Sequence, residues 1–513
     1  MAGSRNSKLS PSFEPLAALL LLTALSVAAL AWFHERGYTL YYGDAEAHLN
    51  VARRVLDSRS PGLFQIGSVW LPLPHLLMLP LVWDDRLWRS GLAGAIPSAA
   101  CFIAAGMFLF AAARRVYGAG AAAAATLCLF ALNPNLLYLQ SAPMTEPVFL
   151  AALCALLYFT VRFGQTQSLV TAACAGAATL AASLTRYEGW FVIPFAALYF
   201  LIAARRRRIL APFLFAAIAA LGPLLWLAHN WWYWGDALEF YRGPYGAKAI
   251  YQRALEGGMA PYRGDHDWAQ AWLYFRSAVR LSVGWPVVWL GLAGTAAALF
   301  RRAAWPLLLL LLPPAFYVWS LHSGGTPIFV PHLWPYSYYN TRYGLSALPA
   351  LAFASGALVA FAPRRFRVPA WLLAAALAVL PWMWSPYPEG WICWKESQVN
   401  SEARRAWTNE AAAFLQVQYR RGSGIIMPFG DLAGILRQAG IPLRESLHEG
   451  NVPEWQAAVA DPFFYMREEW AVVISGDKVD DALVKARRKG PRYDCLRSIT
   501  VRGAPVIQIY RRN

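Results

Sequence analysis

The chain has 513 residues, of which 58% are hydrophobic and only 15% are charged, and its mean hydropathy is +0.35. This composition excludes an ordinary soluble globular domain and indicates an integral membrane protein. The formal net charge of +17 does not indicate nucleic-acid binding, because the arginines are scattered over short connections beside apolar segments instead of lining one surface with stacking aromatics.

The first apolar segment, residues 16–33, is predicted to be a retained membrane span. No small-residue cleavage site precedes Glu35, and many apolar segments follow, so a cleaved signal peptide is disfavoured. Length and hydropathy predict about eleven spans, of which 147–162 and 190–204 are short for a full crossing. The predicted segments are 16–33, 90–113, 119–138, 147–162, 169–184, 190–204, 209–229, 283–300, 303–321, 345–361 and 368–385.

Clusters of basic residues predict the orientation of the spans. If the spans alternate across the membrane, all of these clusters lie on the same side of it. Positive residues in short connections mark the cytoplasmic face. We therefore expect an inner (plasma) membrane protein with a cytoplasmic amino terminus, long outer connections and an outer carboxy terminus. The clusters are Arg5 and Lys8, Arg114 and Arg115, Arg205 to Arg208, Arg301 and Arg302, and Arg364, Arg365 and Arg367.

Beyond residue 385 the long apolar runs give way to alternating helix-like and strand-like segments. This change predicts a membrane domain over residues 1–385 and a small extracytoplasmic α/β domain over residues 386–513. Without a Gly-rich phosphate loop or a catalytic cluster, the second domain is expected to act as a lid or to bind an acceptor. Cys393 and Cys495 lie in it, and both a disulfide and free thiols stay open. Its predicted helices are 402–419, 431–439 and 480–489, and its predicted strands are 424–429, 470–475, 494–501 and 506–511.

The sequence YYGDAEAHLNVARR, residues 41–54, follows the first span and predicts an amphipathic helix along the outer membrane surface. Asp44 is well placed to cap this helix. A cap does not account for Glu46 and His48 beside it, and acids close to the membrane core are costly unless they have a function. Asp44 and Glu46 are therefore candidate catalytic residues, with His48 and Arg53 as supporting residues of the substrate site.

Two further polar sites lie at the predicted outer ends of spans. Glu146 precedes the fourth span in the sequence MTEP, and Arg186 and Glu188 lie between the fifth and sixth spans in TRYEGW. Helix initiation and a snorkelling arginine are the structural alternatives. Three such sites on one face favour a shared functional site. The later outer connections add cationic and aromatic candidates, namely Arg242, Lys248, His332, Tyr339 and Arg342.

This arrangement resembles the polytopic C-type glycosyltransferases, the superfamily that holds protein O-mannosyltransferases and lipid A aminoarabinose transferases. The resemblance is carried by YYGDAEAHLNVARRVLDS in the first outer connection, WLPLPHLLMLPL at residues 70–81, MTEP before the fourth span, and TRYG with the following LP at residues 341–349. In topology it extends over the whole chain. It implies a mainly α-helical membrane domain with outer juxtamembrane helices and an outer α/β domain.

The resemblance also implies an activity: an inverting glycosyltransferase moves a sugar from a polyprenyl phosphate to a hydroxyl of a protein, lipid or glycan acceptor. Asp44 matches the acid that acts as general base, and a carboxylate suits that role because it takes the proton of the attacking hydroxyl. The leaving phosphate needs cations, for which Arg342 and Arg186 are the first candidates and Lys248, Arg242 and His332 the next. The Ala- and Arg-rich composition is typical of a high-GC bacterium and favours undecaprenyl phosphate as the carrier.

Several alternatives stay open at this point. Glu46 could orient the base, bind a sugar hydroxyl or pair with Arg53. Asp44 and Glu46 could together hold Mg²⁺ or Mn²⁺, although a monophosphate donor needs no metal and none is expected to be required. A membrane transporter and a non-catalytic scaffold are the competing functions. A transporter predicts charged or broken segments near the membrane midplane, whereas the acids here gather at span ends.

Overall fold

The structure is a computed structural model that describes residues 14–384 and 390–513. Its first part consists of one long apolar helix followed by three short helices that lie beside the membrane bundle. Arg5 and Lys8 lie outside the described residues. These elements are α1 (Glu14–Glu35), α2 (Gly43–Leu56), α3 (Leu73–Val82) and α4 (Asp85–Ser90), with 3-10 turns at Tyr38–Leu40 and Leu63–Ile66.

The membrane bundle is built from apolar helices joined mainly by short connections. Its first half comprises α5 (Leu92–Tyr117), α6 (Gly120–Ala131), α7 (Pro134–Gln140), α8 (Glu146–Thr166), α9 (Leu169–Ser183), α10 (Glu188–Ala203) and α11 (Leu210–Trp234). A connection that carries the short polar helices α12 (Glu239–Arg242) and α13 (Ala247–Glu256) leads to the second half, which comprises α14 (Trp268–Val283), α15 (Trp285–Phe300), α16 (Trp305–Leu310), α17 (Leu312–His322), α18 (Leu348–Phe361) and α19 (Arg367–Trp384), with 3-10 turns at Thr341–Ala347 and Arg364–Phe366.

Each predicted apolar segment coincides with a helix or a bent helix pair over its described residues. Fewer than eleven of them meet the length needed to cross a membrane. Among the described residues, seven helical stretches are long and apolar enough, or nine if α6–α7, bent by 68°, and α14–α15, bent by 108°, each count as one span. The predicted spans 169–184 and 190–204 correspond to α9 and α10, which have only 15 and 16 residues.

The carboxy-terminal part is the predicted α/β domain, here called the tail domain. Its sheet has the strand order β2-β1-β3-β5-β4, with β1 parallel to β2 and β3, and β5 antiparallel to β3 and β4. All four predicted strands are confirmed, although β1 is shorter than the predicted 424–429. Strand β2 was missed because its two residues, Ser446 and Leu447, are not part of an apolar run. The elements are α20 (Ile392–Gln418), β1 (Ile425–Ile426), α21 (Ala433–Ala439), β2 (Ser446–Leu447), α22 (Glu454–Ala460), α23 (Pro462–Tyr465), β3 (Trp470–Ile474), α24 (Lys478–Lys489), β4 (Tyr493–Ile499) and β5 (Ile507–Arg512).

The tail domain is packed directly onto the juxtamembrane helices. Leu49 of α2 and Trp88 of α4 share one buried apolar cluster with Trp407 and Leu415 of α20. Burial of such side chains is the main favourable contribution to this packing. Helix α2 is therefore held between the membrane bundle and the tail domain. The predicted boundary at residues 385 and 386 lies outside the described residues, and Cys393 and Cys495 are both free thiols, the first buried and the second exposed.

Helices α15 and α18 approach each other closely through small residues. A Cβ atom placed on Gly294 would lie 2.1 Å from the backbone oxygen of Ala354. We expect Gly294→Ala to separate the two helices and to cost about 1–2 kcal/mol after the gain in helix propensity, measured as a lower Tm of the purified protein. Gly430→Ala is the matched control, because a Cβ there meets no atom within 4 Å. Equal Tm values for the two variants would contradict the close packing.

Candidate active site

Arg342 lies at the centre of a charged cluster at one end of the membrane bundle. Its guanidinium uses three different nitrogens: Nε lies 3.0 Å from Glu146, Nη1 lies 3.2 Å from Glu396, and Nη2 donates to Asp44. Glu146 is the first residue of α8, and Asp44 is the second residue of α2. Asp44 therefore lies inside the first helical turn and makes no cap, since the residue preceding α2 is Tyr42.

Arg186 extends the cluster on the far side of Glu146. Its Nη1 lies 3.1 Å from Glu146, and its Nε lies 2.8 Å from Glu188. Its Nη2 donates over 2.8 Å to the hydroxyl of Tyr317, which in turn donates to Glu188. The structure thus brings one acid from each of the three predicted outer sites, Asp44, Glu146 and Glu188, together with the two arginines that were the first candidates to bind phosphate.

Glu396 is a member of the cluster that the sequence did not reveal. It comes from α20 of the tail domain, and it accepts hydrogen bonds from the backbone nitrogens of Asn340 (3.0 Å) and Thr341 (2.8 Å). Burial raises the pKa of Glu396, while Arg342 and these donors act in the opposite direction. A single Glu in a polar helix carries no sequence signal of such a role. Only the packing of the tail domain onto the bundle brings it to Arg342.

The four carboxylates of the cluster differ sharply in exposure. The side chain of Asp44 is 43% exposed, whereas those of Glu146, Glu188 and Glu396 are 9%, 5% and 2% exposed. An acid that takes a proton from an incoming substrate must be reachable by that substrate. Asp44 is the carboxylate of this cluster that meets the requirement.

A small cavity of about 20 Å³ lies among the cluster residues, which is room for about one water molecule. Its wall includes Glu146, Arg186 and Arg342, and the Oε2 atom of Glu146 is buried with no hydrogen-bond partner among the described residues. The carboxylates of Glu146 and Glu188 therefore face the two guanidinium groups around a space too small for a sugar phosphate. Asp44, outside this cavity, is the cluster carboxylate that a larger ligand can reach from solvent.

His48 lies on α2 and forms a buried pair with His75 of α3, with 2.9 Å between Nδ1 and Nε2. Burial, together with the positive charges of Arg186 and Arg342, lowers the pKa of His48 to about 3. The pKa of His75 is also lowered well below its ordinary value, mainly by burial. Both imidazoles are neutral at physiological pH and support the position of α2 next to the cluster.

Because His48 and His75 are buried and neutral, we expect the free energy of unfolding to fall in acid. Below about pH 6.5 the unfolded imidazoles bind protons while the buried ones stay neutral, so stability falls as the pH drops from about 6.5 towards about 3. The slope contributed by His48 approaches about 1.4 kcal/mol for each pH unit. We expect His48→Gln to flatten the dependence of Tm on pH in this range relative to the wild type. If the Tm of His48→Gln depended on pH as in the wild type, buried His48 would not be the source of the loss of stability in acid.

Glu46 and Arg53 lie on α2 but outside the cluster. Residues two apart on a helix point about 200° apart, and Glu46 accordingly contacts Arg437 of the tail domain at 2.9 Å instead of sharing a partner with Asp44. The predicted pairing of Glu46 with Arg53 is not formed. Arg53 instead binds Asp57 at 2.9 Å and Asp85 at 2.6 Å, which ties α2 to α4.

The remaining predicted residues lie at the surface. Arg242 pairs with Asp236 at 3.5 Å, Lys248 lies over the ring of Tyr241, and His332 is exposed. Within residues 14–384 and 390–513, no hydrogen bond or ion pair joins these three cations to the cluster. Tyr339 lies nearer, because burial and then the negative charge of Asp44 raise its pKa.

The fold and the site together define a polytopic membrane protein with a charged site at one end of its bundle and a tail domain closing over it. Residues 88–234 match the family model described as dolichyl-phosphate-mannose-protein mannosyltransferase. The matched stretch includes Glu146, Arg186 and Glu188 but neither Asp44 nor Arg342. A comparison with curated protein sequences gives no match.

The chain has the fold of ArnT from Cupriavidus metallidurans. The apo structure of that protein superposes with a TM-score of 0.52, and its structure bound to undecaprenyl phosphate with 0.50, each at 12% identity over 94% of this chain and 97% of ArnT. The apo oligosaccharyltransferase of Archaeoglobus fulgidus gives a TM-score of 0.46 at 12% identity over 90% of this chain and 70% of that protein. The family match and the ArnT fold confirm the predicted resemblance to the C-type glycosyltransferases and the predicted fold class.

Proposed function

We propose that the chain is an inverting glycosyltransferase that moves a sugar from a polyprenyl phosphate to a hydroxyl acceptor at the outer face of the inner (plasma) membrane. The observation that carries the proposal is the exposed carboxylate of Asp44, held by Arg342 at the end of the bundle where the tail domain packs. The mannosyltransferase family match and the ArnT fold support the same class of reaction. Undecaprenyl phosphate is the carrier we favour, as it is the lipid bound to that ArnT structure.

The proposed reaction is a single displacement. The acceptor hydroxyl oxygen forms a bond to the anomeric carbon while the bond from that carbon to the phosphate oxygen breaks. Asp44 takes the hydroxyl proton, and the phosphate leaves with the bonding electron pair. General-base catalysis of this kind contributes a factor of about a hundred to ten thousand in rate.

The leaving phosphate is proposed to bind Arg342 and Arg186. Both guanidinium groups are already paired with carboxylates, so a phosphate must replace one of these partners. Asp44 is the exposed partner and the one that can move away without leaving a buried charge unpaired. Donor binding to Arg342 would thus release Asp44 to act as base. Lys248, Arg242 and His332 would take part only if their surface connections move towards the cluster.

No divalent cation is required in this proposal. Asp44 and Glu46 contact arginines on different sides of α2, and a monophosphate donor carries little charge for a metal to neutralise. We expect transfer by the purified protein to persist in an excess of EDTA. Activity that disappears with the chelator and returns with added Mn²⁺ or Mg²⁺ would show that the chain uses a cation.

The test of the proposal is a transfer assay with the purified chain in liposomes. Undecaprenyl phosphates carrying radiolabelled hexose, pentose or N-acetylhexosamine serve as separate donors, and a membrane extract supplies acceptor hydroxyls. The proposal predicts that label moves to an acceptor and that free undecaprenyl phosphate appears. Label that crosses the bilayer on the intact lipid would indicate a transporter, and label that neither moves nor crosses with any donor would indicate a scaffold.

A further inference from the structure

A second, larger cavity of about 460 Å³ lies between the membrane bundle and the tail domain, on the side of α2 that carries Glu46. We call it the interdomain cavity. Its wall is formed by the residues that follow α1, those that precede α5, and the facing surfaces of α20 and α21. It shares no lining residue with the small cavity at Arg342. It is therefore a separate site from the candidate active site.

The lining of the interdomain cavity carries a surplus of positive charge. Five arginines line it against one carboxylate, that of Glu46, which is already bound to Arg437. No ion pair to Arg36, Arg89 or Arg405 occurs in the part of the chain that the structure describes. Guanidinium groups gathered around one space repel each other unless an anion lies between them. The five are Arg36, Arg89, Arg404, Arg405 and Arg437.

Arg404 provides a second, independent observation at this cavity, a buried donor without a hydrogen-bond partner among the described residues. This residue is only 8% exposed, and its buried Nε has no hydrogen-bond partner among the described residues. Its Nη2 donates to the backbone oxygen of Tyr41 at 2.8 Å, and its Nε forms an ion pair with Glu46 at 3.7 Å that is too long for a hydrogen bond. A Cβ on Gly43 would lie 2.6 Å from Nη1, so the glycine makes room for the guanidinium. A buried cation with an unsatisfied donor is costly unless a ligand completes it.

The position of the cavity indicates where such an anion comes from. Arg36 follows directly on α1, and Arg89 lies just before α5, so two spanning helices end at the cavity on the side of the tail domain. Residues at this level meet lipid headgroups, and clustered arginines there attract anionic lipids. The guanidinium fork also matches phosphate oxygens in geometry and charge.

We propose that the interdomain cavity binds a phosphate group, supplied by the headgroup of an anionic membrane lipid. The site does not depend on the proposed glycosyl transfer, because it uses a different cavity and different arginines. A bound headgroup would neutralise the arginines from both domains and so join the tail domain to the bundle. The ligand completes a contact between domains and is not consumed.

Native mass spectrometry of the full chain tests this proposal. The protein is released from phosphatidylcholine micelles that contain phosphatidic acid, and the retained lipid is counted for the wild type, for Arg404→Ala, and for the double variant Arg36→Ala/Arg405→Ala. The double variant keeps the buried Arg404, so it tests the cavity even if Arg404→Ala fails to fold. Arg421→Ala is the control, since Arg421 is an exposed arginine outside the cavity. A titration with inorganic phosphate runs in parallel.

We expect the wild type and Arg421→Ala to retain phosphatidic acid in preference to phosphatidylcholine, and both cavity variants to bind it at least about tenfold more weakly. Displacement of the lipid only at a large excess of inorganic phosphate would support a lipid source. Inorganic phosphate binding as tightly as the lipid would overturn the lipid source and leave a site for a free phosphate. Equal retention of both lipids, or folded cavity variants that bind like the wild type, would overturn the site itself.

Discussion

Asp44→Asn is expected to lower the rate of sugar transfer by about a hundred- to ten-thousand-fold while the protein still folds and binds its donor. The amide has nearly the same shape as the carboxylate and can still accept a hydrogen bond from Arg342, but it cannot take a proton at neutral pH. Arg342 also keeps Glu146 and Glu396 as partners. The measurement is turnover with a labelled polyprenyl-phosphate sugar, together with Tm and donor Kd.

Asp431→Asn is the matched control for this substitution, because Asp431 is an exposed aspartate of the tail domain. It should retain the activity of the wild type. Full turnover in Asp44→Asn would remove Asp44 as the base, and another of the cluster carboxylates would then have to become accessible. A parallel loss of Tm in Asp44→Asn would instead assign it a structural role.

Arg342→Ala has the second large effect that we expect, on both stability and donor binding. Three carboxylates lose their shared cation, two of them buried, and breaking a buried ion pair by removing one partner costs about 3–5 kcal/mol. In any folded fraction the Kd for undecaprenyl phosphate should rise at least about tenfold, while the KM for the acceptor stays near its wild-type value.

Arg342→Lys separates the effect on stability from the effect on donor binding. The lysine keeps the positive charge but cannot reach three carboxylates with three nitrogens, so most of the stability should return while donor binding stays weak. A lysine variant with wild-type donor affinity would count against a specific phosphate contact at Arg342. Donor affinity that is unchanged in folded Arg342→Ala would remove the phosphate role altogether.

Much of this fold could be predicted from the sequence, because long apolar runs and local periodicity are properties of neighbouring residues. The apolar segments, the break before the tail domain and four of its five strands were all predicted on that basis. Fewer than eleven of the described helices meet the length criterion for a full crossing, for two reasons. The chain bends at Pro134 and at Gly284, and α9 and α10 are too short to meet the length criterion on their own.

Individual residues of the site could be predicted from the sequence, but the contacts between them could not. Asp44, Glu146 and Arg186 stood out because they lie at predicted span ends on one face, where acids close to the membrane core are costly. Which of them meet, and which partner each arginine takes, depends on helix packing over long sequence separations. That is why Glu396, 54 residues away from Arg342, was missed, and why Glu46, two residues from Asp44, turned out to bind Arg437 of the tail domain on the other side of α2.

The most direct test of the central claim is a cryo-EM structure of the purified chain with undecaprenyl phosphate. We expect phosphate density within hydrogen-bond distance of Arg342, with Asp44 displaced from that arginine and facing the position where the sugar carbon would lie. Density for the phosphate in the interdomain cavity alone, or an ion or small solute held between the spans with Asp44 still paired to Arg342, would contradict it.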